Sequence, residues 1–144
     1  MRPTRRPPAS PLADALARVG DRWTLLVIAA LLPGPRRFGD LQEELPGIAP
    51  NVLAGRLKGL TEQALVVPRP YSERPPRFVY ELSAPGRELA GALRLLSAWG
   101  ARTDEQPEAR RHAACGTDLQ ARWYCPACET TVADDGEGDE LVHV

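Results

Sequence analysis

At 144 residues the chain has room for one compact domain and a small appendage, and its formal net charge of −1 conceals an uneven spread. Residues 1–100 carry 14 Lys and Arg against 9 Asp and Glu, a net of +5, whereas residues 101–144 carry 4 against 10, a net of −6. No apolar run approaches the roughly 18 residues of a membrane span, and no apolar segment follows the basic start MRPTRRPPAS as a signal peptide requires, so a cytoplasmic protein is expected.

Residues 1–9 are rich in Pro and Arg and read as a disordered basic arm. Ser10-Pro11 is a helix start, with Ser as N-cap and Pro at the first position. Leu12, Leu16 and Val19 follow at i, i+4 and i+7, and Gly20 ends the helix. Asp21 caps a second helix, Arg22 to Leu32. Its run WTLLVIAALL is apolar nearly all round, which predicts the buried centre of the core. Pro33-Gly34-Pro35 stops it.

The next stretch, FGDLQEELPGIAPNVLAGRLKGLTEQA from Phe38 to Ala64, organises the rest. Leu41 and Leu45 suit the inner face of a short helix. Pro46-Gly47 breaks it, and Pro50 opens another. There Leu53, Leu57 and Leu60 form one thin apolar stripe, while Asn51, Gly55, Lys58 and Glu62 fall opposite. A short helix, a tight turn and a thinly striped helix make the helix-turn-helix plan, whose second helix enters the DNA major groove. An ordinary helical hairpin fits this stretch alone equally well. Arg36 and Arg37, just before the motif, are placed for backbone phosphates.

Leu65-Val66-Val67 then reads as a strand, short or edge-exposed because Pro68 and Pro70 lack N–H donors. Tyr71 to Pro76 reads as a polar turn, and Phe78 to Leu82 as a second strand. A hairpin directly after a helix-turn-helix is a wing, here with Arg74 at its tip and Arg77 just beyond. Ser83 caps a long helix from about Ala84 to Arg102. Its stripe of Leu89, Leu93, Leu96 and Trp99/Gly100 needs a partner: antiparallel pairing with the same helix of a second copy and with the first helix is the economical answer, and packing on its own domain is the alternative.

Ser10 to Ala101 resembles an HxlR-type winged-helix transcriptional regulator. The carrying segments are GDRWTLLVIAALLPGPRRFGDLQEELPGIAPNVLAGRLKGL, PYSERPPRFVYELSAPGREL and LSAWG. The resemblance implies a dimeric cytoplasmic DNA-binding protein of bacterial type, with Arg37, Asn51 and Arg56 as contacts and the 72–77 loop as wing. The chain departs from the family pattern in places. Ser10-Pro11 stands where many members have Cys-Pro, whose thiol senses oxidants or electrophiles in some. Ala49 replaces the usual Ser before Pro50, Ala64 replaces the Gly expected before the wing, and Pro68 replaces a basic residue.

All three cysteines lie in the appendage. With His112 they spell H-x2-C-x9-C-x2-C: His112, Cys115, Cys125 and Cys128. Two close pairs joined by a loop are what a tetrahedral zinc site needs, and so small an appendage cannot build its own core. Structural Zn²⁺ in a zinc-ribbon-like appendage is therefore expected over residues 103–133. A redox dithiol at Cys125-Pro126-Ala127-Cys128 lacks its βαβ context. Residues 134–144 form an acidic tail, with His143 a simple tail residue.

The expected protein is mainly α with a small β-wing: a winged helix-turn-helix with flanking dimerisation helices over residues 10–102. Its expected function is transcriptional regulation by a homodimer on double-stranded operator DNA. Asn51, Gly55 and Lys58 would face base edges, and Arg37, Arg56, Arg74 and Arg77 would hold phosphates or the minor groove. A small-molecule or redox effector would complete the picture. The rival reading is a protein-interaction winged-helix module with a structural zinc ribbon. An enzyme is not expected: there is no Ser/His/Asp set, Gly-rich phosphate loop or paired carboxylates.

Overall fold

The computed structural model describes residues 9–101 and 110–132. Most of the basic arm at 1–9, the boundary set at 102/103 and the acidic tail at 134–144 lie outside them. The chain divides into two compact units, one up to Arg94 and one from Leu95 onward.

The first unit begins with α1 (Pro11–Val19). Ser10 Oγ accepts the Ala13 N–H at 3.0 Å, and Pro11 occupies the first turn, where no N–H is needed. Of its apolar stripe only Val19 is buried; Leu12 and Leu16 remain 69% and 54% exposed. Asp21 Oδ1 accepts the N–H groups of Trp23 and Thr24 and so caps α2 (Arg22–Leu31). Val27, Ile28 and Leu31 are fully enclosed. Fully burying such a side chain contributes about 1.5–3 kcal/mol, so α2 anchors the core. Its apolarity all round overstates its burial, however: Leu26 is 40% exposed.

A two-residue strand, β1 (Arg36–Arg37), leads into α3 (Phe38–Glu44). Leu41 and Leu45 are buried as expected, and Gly47 turns the chain at φ 91°, a region that favours glycine. Ile48 then plugs the core ahead of α4 (Pro50–Glu62). Leu53, Leu57 and Leu60 of α4 are buried, and the helix packs chiefly on α2.

The end of α4 is a Schellman motif. The Leu65 N–H reaches the Leu60 carbonyl (2.9 Å) and the Ala64 N–H reaches that of Thr61 (3.0 Å). Ala64 adopts φ 57°, the left-handed conformation this motif imposes. Ser83 fastens the same corner, its Oγ donating to the Ala64 carbonyl at 2.7 Å.

The wing is β2 (Val66–Glu73) and β3 (Pro76–Leu82), with sheet order β1-β3-β2. Here the expected short first strand and long turn need correction. β2 runs through both prolines, and only Arg74-Pro75 separates the strands. β2 is an edge strand, and Pro68 and Pro70 are two apart, so their missing N–H groups fall on the outward side. β1 was not expected; it pairs Arg36 with Tyr80 and Arg37 with Val79, making β3 the central strand.

The long last helix also needs correction. It is two helices, α5 (Ala84–Glu88) and α6 (Ala90–Gly100), separated at Leu89. Ser83 caps α5 by accepting the Gly86 N–H. Gly86 is buried against the Leu65 carbonyl, where a Cβ would stand only 2.2 Å from the oxygen. Leu93 is buried, whereas Leu96 and Trp99 are 52% and 67% exposed.

The described part of the second unit after α6 comprises two hairpins. Arg111 bridges to Asp118 in the first, and β4 (Trp123–Cys125) pairs with β5 (Thr130–Val132) in the second.

Candidate nucleic-acid interface

Helix α4 presents one stripe to the core and another outward. With Leu53, Leu57 and Leu60 turned inward, Asn51, Ala54, Gly55 and Lys58 are exposed on the other side. Nothing lies within 4 Å of a Cβ built on Gly55, so the backbone there is open to close approach. Lys58 meets Glu62 one turn on at 3.9 Å, but both side chains are well exposed and such pairs hold weakly.

Arg56 lies differently. Its Nε is 2.8 Å from Asp21 Oδ1, an ion pair without a well-aligned hydrogen bond at Nε. This guanidinium binds α4 to the cap of α2. Burial opposes the charge on Asp21, but the Thr24 N–H, the Arg56 charge and the Trp23 N–H outweigh it and hold the carboxyl below its ordinary range. A second brace joins the far ends of α1 and α4: Arg18 Nε donates to Gln63 Oε1, and Gln63 Nε2 to the Arg18 carbonyl, both at 3.2 Å.

Exposed cations also stand at the start of α3 and on the wing. Arg37 is exposed at the start of α3, where its N–H is held by Asp40 Oδ2 at 2.9 Å. Its guanidinium lies 4.9 Å from the centre of the Tyr71 ring on β2. Tyr71 was expected only as part of a polar turn; its aromatic side chain in the wing was the available signal. Arg37, Tyr71, Arg77 and Phe78 share a shallow cleft between α3 and the wing. Arg74 and Arg77 are exposed, and neither has an ion-pair partner among the described residues. By contrast Arg36 pairs with Glu44 at 3.3 Å, and Arg69 pairs with Glu81 across the wing.

In the second unit, His112 Nδ1 is 3.3 Å from Cys115 Sγ. Cys125 and Cys128 form the other pair, where the Cys128 N–H is the main influence holding the Cys125 thiol below its ordinary value, helped by the Cys128 side chain and the Ala127 N–H. The Thr117 hydroxyl, then its N–H, does the same for Cys115. Among the described residues no three His, Cys, Asp or Glu side chains converge on one point.

No helix among the described residues is long and apolar enough to cross a membrane. The profile of the HxlR-like helix-turn-helix family matches residues 18–108. An uncharacterised HTH-type transcriptional regulator of Mycobacterium tuberculosis is 40% identical over 118 residues, covering 79% of this chain and 74% of that one. The Bacillus subtilis transcriptional regulator YodB is 33% identical over 88 residues, covering 61% and 79%. The structure of reduced YodB superposes with a TM-score of 0.56 at 32% identity, covering 67% of this chain and 96% of that one. A candidate transcription factor of Pseudomonas aeruginosa superposes with a TM-score of 0.62 at 34% identity, covering 85% and 86%. These relatives are transcriptional regulators rather than enzymes, and this chain, with its winged helix-turn-helix, belongs to the HxlR-like family of transcriptional regulators.

Proposed function

We propose that the protein acts in the bacterial cytoplasm as a homodimer that binds duplex operator DNA, α4 entering the major groove and the β2–β3 wing lying over the adjacent backbone or minor groove. One observation carries this reading: the outward stripe of α4 is small and polar while its inward stripe is fully engaged. Asn51 is suited to bidentate reading of adenine, and Gly55 gives the groove floor room. Lys58 reaches base edges or phosphate from the same stripe.

Arg37, Arg74 and Arg77 serve as phosphate or minor-groove contacts on either side of α4. Arg56 works mainly by orienting α4 through Asp21, since a direct phosphate contact would cost that ion pair.

The dimer rests on two exposed apolar faces, Leu12 and Leu16 on α1 and Leu96 and Trp99 on α6. Large apolar side chains grouped on a helix face mark a contact surface. An effector acts on this regulator by a route other than a thiol at the start of α1, because Ser10 occupies that position.

The test is binding of the purified protein to a random duplex library at several salt concentrations. Selective retention, with affinity falling steeply as salt rises, supports the reading. A module that docks proteins would enrich no duplex and show no such slope.

A further inference from the structure

The stretch after α6 carries chemistry that DNA binding does not use. Residues 110–132 form two successive hairpins that match position by position, His112 to Cys125 and Cys115 to Cys128. In the first, Arg111 pairs with Asp118, and the His112 N–H donates to the Thr117 carbonyl at 2.8 Å. In the second, Tyr124 pairs with Thr131 and Cys125 with Thr130. The residue after the second member of each pair is left-handed in both tips, Gly116 at φ 70° and Glu129 at φ 52°.

These tips are built around sulfur. Beyond the left-handed Gly116, the Thr117 hydroxyl lies 3.3 Å from Cys115 Sγ. A hydrogen-bonding neighbour beside a sulfur orients a metal-bound thiolate. The 3.3 Å between His112 Nδ1 and Cys115 Sγ is close to the roughly 3.5 Å set by a tetrahedral ion with Zn–N of about 2.0–2.1 Å and Zn–S of about 2.3 Å. No residue from 110 to 132 is buried, and Leu119, Trp123 and Tyr124 are all more than half exposed. Hairpins this small, without an apolar core, need another source of stability.

We propose that His112, Cys115, Cys125 and Cys128 bind one zinc ion between them, and that the ion clasps the two hairpin tips together. Each tip is formed on its own in the structure; the ion supplies the junction. On binding, the three thiols release their protons to solvent as three Zn–S bonds form, and His112 donates the neutral Nδ1 lone pair. Four protein ligands close the coordination sphere, so the ion is structural and leaves no position for a reacting water. This assignment stands whether or not the DNA reading holds.

The test uses the full chain purified under reducing conditions. Mass spectrometry should find one zinc per chain, and Co²⁺ exchanged into the site should give the intense visible bands of tetrahedral thiolate coordination. Cys115→Ser and Cys128→Ser, one from each tip, should both lose stoichiometric metal. Hydrogen exchange on the unsubstituted chain provides a readout that no misfolded variant can confuse. Chelation should strip protection from residues 110–132 and leave that of residues 11–94 unchanged. Zinc-free protein, metal that survives either substitution, or protection indifferent to chelation would overturn the proposal.

Discussion

Asp21 serves two helices at once: its Oδ1 caps α2 through the N–H groups of Trp23 and Thr24 and meets Arg56 Nε of α4 at 2.8 Å. The orientation of the outward stripe on α4 is thereby tied to the start of the most buried helix. Arg56→Ala should therefore lower thermal stability as well as DNA affinity, with little change in the salt slope. Arg74→Ala, at the wing tip, should leave the melting temperature alone and flatten the slope by roughly one unit, the value of one lost phosphate contact. Thermal melts and salt titrations of the two variants separate these outcomes.

The same carboxylate gives a pH signature. Its folded value is depressed below the ordinary 3.8, so the unfolded chain takes up the proton first. Its contribution is complete above the ordinary value and is lost as pH falls through the folded one. Asp21→Asn keeps a capping side chain and removes the charge. Denaturation between neutral pH and strong acid should show a shallower acid loss in Asp21→Asn than in the unsubstituted protein.

Both ends of α4 are imperfect. Ala49 makes no side-chain cap, and Ala64 holds a left-handed conformation without being glycine. Ala49→Ser should stabilise by about 1 kcal/mol. Ala64→Gly removes a left-handed cost of about 1–2 kcal/mol and adds chain entropy of about 0.5–1, leaving a net gain of up to about 1.5 kcal/mol. Urea denaturation checks both; a destabilised Ala64→Gly would contradict the geometry of this corner.

Gly86 and Gly91 should part company. A Cβ at Gly86 collides with the Leu65 carbonyl, while one at Gly91 meets nothing within 4 Å. Gly86→Ala should cost about 1–3 kcal/mol, as overpacking does, and Gly91→Ala on exposed α6 should gain up to about 1 kcal/mol. The same denaturation series reads both.

If α1 and α6 form the dimer surface, Leu16→Glu or Leu96→Glu should give monomers by sedimentation without loss of helical content. Dimers that survive both changes would place the contact elsewhere.

Much of this architecture was legible because its signals are local. Ser10, Asp21, Ser83 and the Pro46-Gly47 break fixed helix ends, and the Leu53, Leu57, Leu60 stripe fixed the inner face of α4. What escaped depends on distant partners. Pro68 and Pro70 suggested a short strand, but an edge position tolerates both; β1 exists only because β3 lies beside it. Nothing in the spacing showed Asp21 beside Arg56 or Tyr71 beside Arg37, since those contacts join elements far apart in the chain. Leu26, Leu96 and Trp99 look like core residues in sequence, and periodicity does not say whether a partner covers them.

The central claim is that the outward stripe of α4 reads DNA sequence, and it is tested most directly at Asn51. The retained duplex should first be selected with unsubstituted protein, and Asn51→Ala should then be measured against that duplex and its single-base variants. The expected result is relaxed preference at one base pair per half-site, worth about 1–3 kcal/mol, with the preferences elsewhere preserved. Equal weakening on every duplex, or no change at all, would contradict the assignment of α4 as the reading helix.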